Sequence, residues 1–210
     1  MKILIFGASG ATGQHLVKQA LSKGHFVTAF VRDLAKIRLT HPNLRVIRGN
    51  INYIHDVRSA LDGQDVVLST LGASSPFRYD QSVVDGFGTI IKAMKSAGVE
   101  RLIYLSTMGI GSTRRNAGFL IRYIAPVLLS TELKGHQTRE KMLMDSQLRW
   151  TIVRATTLTN GRHLREYKSG AGIKSKSFAA TISRADVADF MLNIIASDQY
   201  LHGTPAVMYK

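Results

Sequence analysis

The stretch Gly7-Ala8-Ser9-Gly10-Ala11-Thr12-Gly13 has the residue types and spacing to hold an anion on bare backbone. An apolar run, Ile3-Leu4-Ile5-Phe6, leads into it, and Leu16, Val17, Ala20 and Leu21 follow at helical spacing. The order is therefore buried strand, tight turn, amphipathic helix. Glycines allow a sharp turn, a close backbone approach to a ligand and close packing of helix on strand. The free N–H groups at the helix start then face the anion, normally a dinucleotide pyrophosphate. The spacing is G-x-x-G-x-x-G rather than the G-x-G-x-x-G of many dehydrogenases. Ser9, Ala11 and Thr12 join the three glycines as candidate contacts.

Chemistry at the ends of the later strands refines this expectation. The second strand finishes Val31-Arg32-Asp33, with Arg32 nineteen positions after Gly13. A fold that prefers NAD places an acid about twenty residues past the glycines to bond the ribose hydroxyls. A guanidinium there instead grips a 2′-phosphate, so the expected cofactor is NADP(H) in preference to NAD(H). The third strand ends at Asn50 and Ile51, where an amide can accept from the adenine amino group and donate to the ring nitrogen. The fourth ends Thr70-Leu71-Gly72, where glycine lets backbone pass close to the cofactor. Ala155, Thr156 and Thr157, past the sixth strand, complete the candidate cofactor contacts.

These residues need a sheet to bring them together, and the chain supplies alternating elements with no repeat or linker. Strands are expected at 2–6, 26–31, 45–48, 66–70, 102–106, 150–154 and 206–209. Helices are expected at 14–22, 55–61, 79–97, 136–146 and 184–196. Ser183 followed by Asp186 reads as a helix cap, which makes Asp186 structural. The fold class is α/β: a Rossmann-type doubly wound parallel sheet forming a single domain over 1–210, with ligands at the carboxyl ends of the strands. A short C-terminal substrate region, built mainly from 108–135 and 155–182, completes it.

Composition narrows the function classes. Without cysteine there is no disulfide, thiolate catalysis or cysteine metal site. The seven histidines show no metal-binding spacing, so no metal is expected. The longest apolar stretch, Phe119 to Leu129, is broken by Arg122 and Pro126, whereas a membrane span needs about twenty residues. Met1-Lys2 runs straight into the first strand, with no signal peptide ahead of it. The expectation is a soluble cytoplasmic protein without a membrane partner. A net charge of +14 could mark nucleic-acid binding, but the basic residues are spread along the chain and no recognition motif accompanies them. A basic surface that attracts a phosphorylated cofactor is the simpler reading.

Taken in order, several motifs resemble an atypical short-chain dehydrogenase/reductase of the NAD(P)H-binding, NmrA-like type, near the flavin reductase and biliverdin reductase group. They are the glycine loop, Phe30-Val31-Arg32-Asp33, Gly49-Asn50-Ile51, Ala97-Gly98-Val99-Glu100-Arg101-Leu102-Ile103-Tyr104-Leu105-Ser106-Thr107, Trp150-Thr151-Ile152-Val153-Arg154 and Ser183-Arg184-Ala185-Asp186-Val187-Ala188. The resemblance implies a bound nicotinamide dinucleotide and an active-site serine at Ser106. It also exposes a departure. Many such reductases use a Tyr-x-x-x-Lys pair, in which lysine lowers the tyrosine pKa, yet none of the seven tyrosines has lysine four positions later. Counting back from Glu140-Lys141-Met142-Leu143-Met144-Asp145-Ser146 puts His136 at the lysine position and Glu132 at the tyrosine position.

Two functions follow. In one, hydride passes from NADPH to a small-molecule acceptor such as a flavin, quinone or conjugated pigment. Ser106 would orient the acceptor or the carboxamide, and His136 would bond the ribose or donate a proton. In the other, the chain is a non-catalytic NADP(H) redox sensor that signals to a protein partner. His163 falls in an expected flap over the nicotinamide, and loop histidines are usually solvated. The run 119–129 has three readings: pocket lining, a homodimer contact, or an ordinary packed segment. Asp189 is expected to decorate a helix.

Overall fold

Strands buried on both faces send alternate side chains to opposite helical layers, and that alternation organises this molecule. The structure, a computed structural model, describes residues 1–73, 79–175 and 177–209. Lys176, at the end of the basic stretch that starts at Arg162, lies outside them. The strands are β1 (Lys2–Phe6), β2 (Phe26–Val31), β3 (Leu44–Arg48), β4 (Val66–Ser69) and β5 (Arg101–Thr107), followed by β6 (Arg149–Ala155), β7 (Thr157–Thr159), β8 (Tyr167–Gly170), β9 (Thr181–Ser183) and β10 (Ala206–Tyr209). The helices are α1 (Ala11–Ser22), α2 (Ile54–Leu61), α3 (Gln81–Ala97), α4 (Ala125–Leu128), α5 (Ser130–Met144) and α6 (Arg184–Asn193).

Eight strands form one sheet in the order β3-β2-β1-β4-β5-β6-β10-β8, parallel except for β8, which runs antiparallel to β10. This is the expected Rossmann-type doubly wound sheet. Its order reverses between β1 and β4, and a crevice opens at the carboxyl ends there. Ile3, Ile5, Ala29, Leu68, Ile103 and Val153 face α1 and α6, whose Leu16, Ala20, Val187 and Met191 complete that core. Leu4, Phe6, Val67, Leu102, Tyr104 and Ile152 face the other way, packing with Phe87, Ile90 and Met94 of α3 and Leu143 of α5.

The core strands lie where periodicity puts them, with β1, β2 and β10 matching residue for residue. The differences have physical reasons. Gly10 rather than Gly13 is the N-cap of α1, so that helix starts at Ala11. α5 begins at Ser130 rather than His136, which places Glu132 and His136 one turn apart on one helix. β8 and the small β7–β9 ladder were not expected, because Tyr-Lys-Ser-Gly carries no apolar alternation. Asp189 does not merely decorate α6: it is buried, and it accepts hydrogen bonds from Tyr167 Oη (2.8 Å) and Asn193 Nδ2 (2.9 Å). It thereby fastens edge strand β8 to the helix layer.

Behind the carboxyl end of β6, Arg154 donates to both carboxylate oxygens of Glu140, from Nε at 3.1 Å and from an Nη at 2.6 Å. Both side chains are buried. A lone charge left there would cost far more than the pair contributes. Glu140→Gln or Arg154→Met should each destabilise the fold by about 3–5 kcal/mol, and the double variant should recover a large part of that loss. Urea unfolding checks it; additive single losses would show that the two charges do not act as a pair.

Candidate functional site

The β1–α1 turn forms the floor of the site. Gly7 has φ +79, and a side chain there would run into Thr70, with its first carbon 2.9 Å from the Thr70 carbonyl carbon. Thr70 N donates to Phe6 O (3.0 Å) and Thr70 Oγ1 to Gly7 O (3.2 Å), fastening the turn to the end of β4. Gly13 is buried against the turn, where a Cβ would sit on the Gly7 carbonyl and 2.8 Å from Ala8 Cα. Gly13 therefore serves packing and does not line the cleft, whereas Gly7, Ser9, Gly10, Ala11 and Thr12 do. No side chain caps α1 and its first turn has no acid, which leaves its N–H groups open to a ligand anion.

From this floor the cleft extends both ways. A compartment of about 550 Å³ reaches toward β2 and β3 and is lined by Arg32, Asn50, Ile51, Thr70, Leu71 and Gly72. Arg32 is exposed at its rim, with Arg48 beside it. Asp33, its acidic neighbour, is turned away: its carboxylate accepts from Ala35 N (3.1 Å) and caps the short 3-10 turn Leu34–Lys36. Asn50 is more restricted than its residue type implies. Its Oδ1 already accepts from Asn52 N (3.1 Å) and Asn52 Nδ2 (3.3 Å), so only its NH₂ remains to meet a base.

A second compartment, about 380 Å³, shares Thr12, Thr70, Leu71, Gly72 and Arg184 with the first and ends among Ser106, His136, Ala155, Thr156 and Thr157. The alternation of β5 explains the grouping. Leu102, Tyr104 and Ser106 leave one face of the strand, the face on which α5 lies. Tyr104 Oη is 2.6 Å from His136 Nδ1, and Ser106 Oγ is 3.4 Å from the same nitrogen. Arg139 Nε donates to Tyr104 Oη at 2.7 Å, and His136 Nε2 lies 3.1 Å from Glu132 Oε1. Ala73 N also donates to that oxygen, at 3.3 Å.

Donor and acceptor counting fixes the direction of this chain. Arg139 gives to Tyr104, Tyr104 gives to His136 Nδ1, and His136 Nε2–H gives to the Glu132 carboxylate. Burial lowers the His136 pKa; Glu132 opposes that and Arg139 reinforces it. The imidazole is thus held neutral, as the hydrogen-bond order requires. Burial also drives the Tyr104 phenol well above its ordinary value, with Arg139 only partly offsetting it, so no phenolate is available. Burial alone would raise Glu132, but the bond from His136 together with Ala73 N and Arg139 holds it below its ordinary value. With Nδ1 taken by Tyr104, the Ser106 hydroxyl is left to turn toward the cleft.

Thr156 Oγ1 is buried in the wall of this compartment with no hydrogen-bond partner among the described residues. Such an orphan suits a ligand donor. The open helix start, the glycine cradle and this acceptor all fit a nicotinamide dinucleotide. Arg184, half-buried and lining both compartments, and Glu132 are site residues that motif reading did not select. Arg184 was hidden inside a capping motif, while Glu132 stood at the position of the missing tyrosine.

Residues 159–165 do not form the expected flap, for none of them lines either compartment. Leu164 N (3.0 Å) and Arg165 N (2.8 Å) donate to the buried Asp186, which also receives Ser183 Oγ and Tyr209 Oη. Asp186 is structural, as its place in the cap implied, and it fastens this loop to α6, while Asn160 Oδ1 accepts from Arg184 (2.7 Å) at the edge of the cleft. His163 follows the loop, with Nε2 3.5 Å from Asp189. Among the described residues of the run 119–129, only Leu129 lines the cleft. Among the described residues no helix is long and apolar enough to cross a membrane, and no cluster of His, Asp or Glu could hold a metal.

Comparison with known proteins agrees with this geometry. A family model described as NAD(P)H-binding matches residues 7–198. An uncharacterised chloroplastic protein of Arabidopsis thaliana is 29% identical over 167 residues, 76% of this chain, and the match spans 60% of that relative's length. A short-chain dehydrogenase/reductase of Veillonella parvula, solved in complex with NADP, superposes with a TM-score of 0.81 at 22% identity, covering 98% of this chain and 93% of that one. ChuY, an anaerobilin reductase of Escherichia coli O157:H7, gives 0.82 at 20% identity over 99% and 96%. The glycine turn, the switch-point cleft and the family match coincide, and the chain belongs to the NAD(P)H-binding family.

Proposed function

We propose that this chain is an NADPH-dependent oxidoreductase that passes hydride to a conjugated acceptor, such as a flavin or quinone, without a tyrosine–lysine pair. The observation that carries the reading is the hydrogen-bond chain at the nicotinamide end of the cleft. It fills the tyrosine and lysine positions with Glu132 and His136 and commits both imidazole nitrogens. When bound, NADPH supplies the hydride. The chain's own residues supply position: the α1 start and Gly10 take the pyrophosphate, Arg32 the 2′-phosphate, Asn50 and Ile51 the adenine, and Thr156 and Ser106 the carboxamide end. Ser106 also faces the acceptor, and His136 acts by holding Tyr104 and Glu132 in place behind it. The substrate region is built from 108–135 and 155–182, of which Leu129, Leu133 and Leu158 already line the cleft. Likeness to a reductase such as ChuY supports the class of reaction.

Three outcomes test this. Nicotinamide-fluorescence titration should show NADPH binding more tightly than NADH, and Arg32→Ala should weaken NADPH about tenfold while leaving NADH almost unchanged. Equal affinities in the unmodified protein would remove the 2′-phosphate contact.

Gly10 has an ordinary extended φ of −73, and a Cβ there would meet only the Gly7 carbonyl, at 3.2 Å. Gly10→Val should therefore cost at least about tenfold in NADPH affinity, with a melting temperature within a few degrees of the parent. Retained affinity would mean that the phosphates sit elsewhere.

Flavins, quinones or conjugated tetrapyrroles should oxidise bound NADPH in single turnover, and plain ketones should not, because an alkoxide needs an acid that this site lacks. Ser106→Ala should slow the step more than His163→Ala. Neutral His136 has a pKa held below 6.5, so its contribution to stability is complete above that pH and is lost as pH falls. Acid, not alkali, should disorder the site. Efficient ketone reduction untouched by Ser106→Ala would defeat the mechanism, and tight binding without turnover on any acceptor would favour the sensor.

A further inference from the structure

The run Phe119 to Leu129, counted in sequence as pocket lining, dimer contact or packed segment, is at most of its described residues neither pocket lining nor packed in the fold. Phe119, Tyr123, Ile124, Val127 and Leu128 are all exposed, with Val127 at 77% and Leu128 at 60%. Their spacing puts them on neighbouring turns of one helical stretch that runs through α4 toward α5. A second segment joins them. Phe178, 62% exposed, stacks on Phe119 with ring centroids 5.0 Å apart, and Ser175 N donates to Asn116 O at 2.9 Å. The result is one contiguous apolar and aromatic face beside the mouth of the acceptor compartment.

The charge within the two segments that form this face has a single sign. No Asp or Glu occurs between Glu100 and Glu132, or between Glu166 and Asp186. Within those spans Arg114, Arg115, Arg122 and Lys174 are exposed. Arg114 Nε donates to Arg122 O (3.0 Å), and the Arg122 guanidinium lies 5.0 Å from the Tyr123 ring centre. Among the described residues none of these four cations has a carboxylate within ion-pair distance. Exposed apolar patches of this kind usually have an occupant. Aromatic and aliphatic tips mixed with unpaired cations match the boundary of an anionic bilayer, where the tips enter the acyl region and the cations meet lipid phosphates.

We infer that the face formed by Phe119, Tyr123, Ile124, Val127, Leu128 and Phe178, with Arg114, Arg115, Arg122 and Lys174 around it, docks the protein peripherally on an anionic lipid surface. None of its residues lines the cofactor cleft, although both segments belong to the proposed substrate region, so its test reads lipid binding and not turnover. The charge argument selects the bilayer over a second copy of this chain, since two copies would bring the same cations together. A peripheral contact also needs no membrane-spanning helix.

Co-sedimentation with vesicles tests the inference, using phosphatidylcholine alone or with phosphatidylglycerol added. The protein should sediment with the anionic vesicles, far less with the neutral ones, and progressively less as salt rises toward ~0.5 M. The double variant Val127→Glu/Leu128→Glu should lower the vesicle partition coefficient at least about tenfold, because it places charge where apolar tips insert. Phe26→Ser, an exposed apolar residue at the opposite, amino-terminal end of the sheet, should not. NADPH affinity should be unchanged in both and serves as the folding control. Absence of binding to anionic vesicles, or binding that the double variant leaves intact, overturns the proposal. So does a concentration-dependent dimer that the double variant dissociates, which would assign the face to a second copy.

Discussion

The close approach of the β1–α1 turn to the end of β4 is the constraint on which the rest of the site depends. Thr70 bonds back to Phe6 and Gly7, and Gly10 N bonds to Gly7 O at 2.9 Å, so strand, turn and helix start move as one body. There is no room for a side chain at Gly7 or Gly13 without displacing backbone. Because strand order reverses beside this turn, the crevice opens there, with the open start of α1 aimed into it. Both compartments share Thr12, Thr70, Leu71 and Gly72, so the same few residues shape both ends of the cleft.

The second organising feature is how the chain houses polar groups inside. Arg139 is almost wholly buried, and it is tolerable there because Tyr104 and Glu132 face it. The order of hydrogen bonds from Arg139 to Glu132 makes His136 neutral and Tyr104 a donor, which removes both as strong acids near neutral pH. In the tyrosine–lysine arrangement a cation activates a phenol at the cleft. Here the cation and the phenol are set back behind a serine. On the proposed reading such a site works by positioning and exclusion of water rather than by proton delivery from a tuned acid. Arg154 and Glu140 repeat the principle as a purely structural pair behind β6.

Much of this was legible in the residues. Glycine spacing after an apolar run, Arg32 in place of an acid, and the endings of strands three and four all depend on local sequence, because a strand end and the turn after it are made by neighbouring residues. Ser183 and Asp186 as a cap belong to the same class, and the structure finds that cap with Ser183 Oγ accepting from Asp186 N at 3.0 Å. Less legible was everything that depends on what a side chain meets across the fold. Asn50 has the right chemistry for adenine, yet Asn52 takes its oxygen. Asp189 was read as surface, but it is buried and bonded to Tyr167 and Asn193, and the loop read as a flap is tied through Leu164 N and Arg165 N to buried Asp186 while residues 160–165 stay exposed.

The sequence by itself determined the order of the core strands and helices and the Rossmann-type sheet they form, because periodicity and turn chemistry are short-range or pattern properties, whereas β7, β8 and β9 came only with the structure. It also announced that the tyrosine–lysine pair is missing. Only the tertiary structure decided what stands in its place. The Tyr104–His136–Glu132 chain joins β5 to α5 across about thirty residues of sequence, and the neutral state of His136 comes from burial and Arg139, neither visible at position 136 alone. The exposed Phe119, Tyr123, Ile124, Val127 and Leu128 follow the same logic. Hydrophobic residues predict burial on average, and only the packing of neighbouring elements decides that these remain outside.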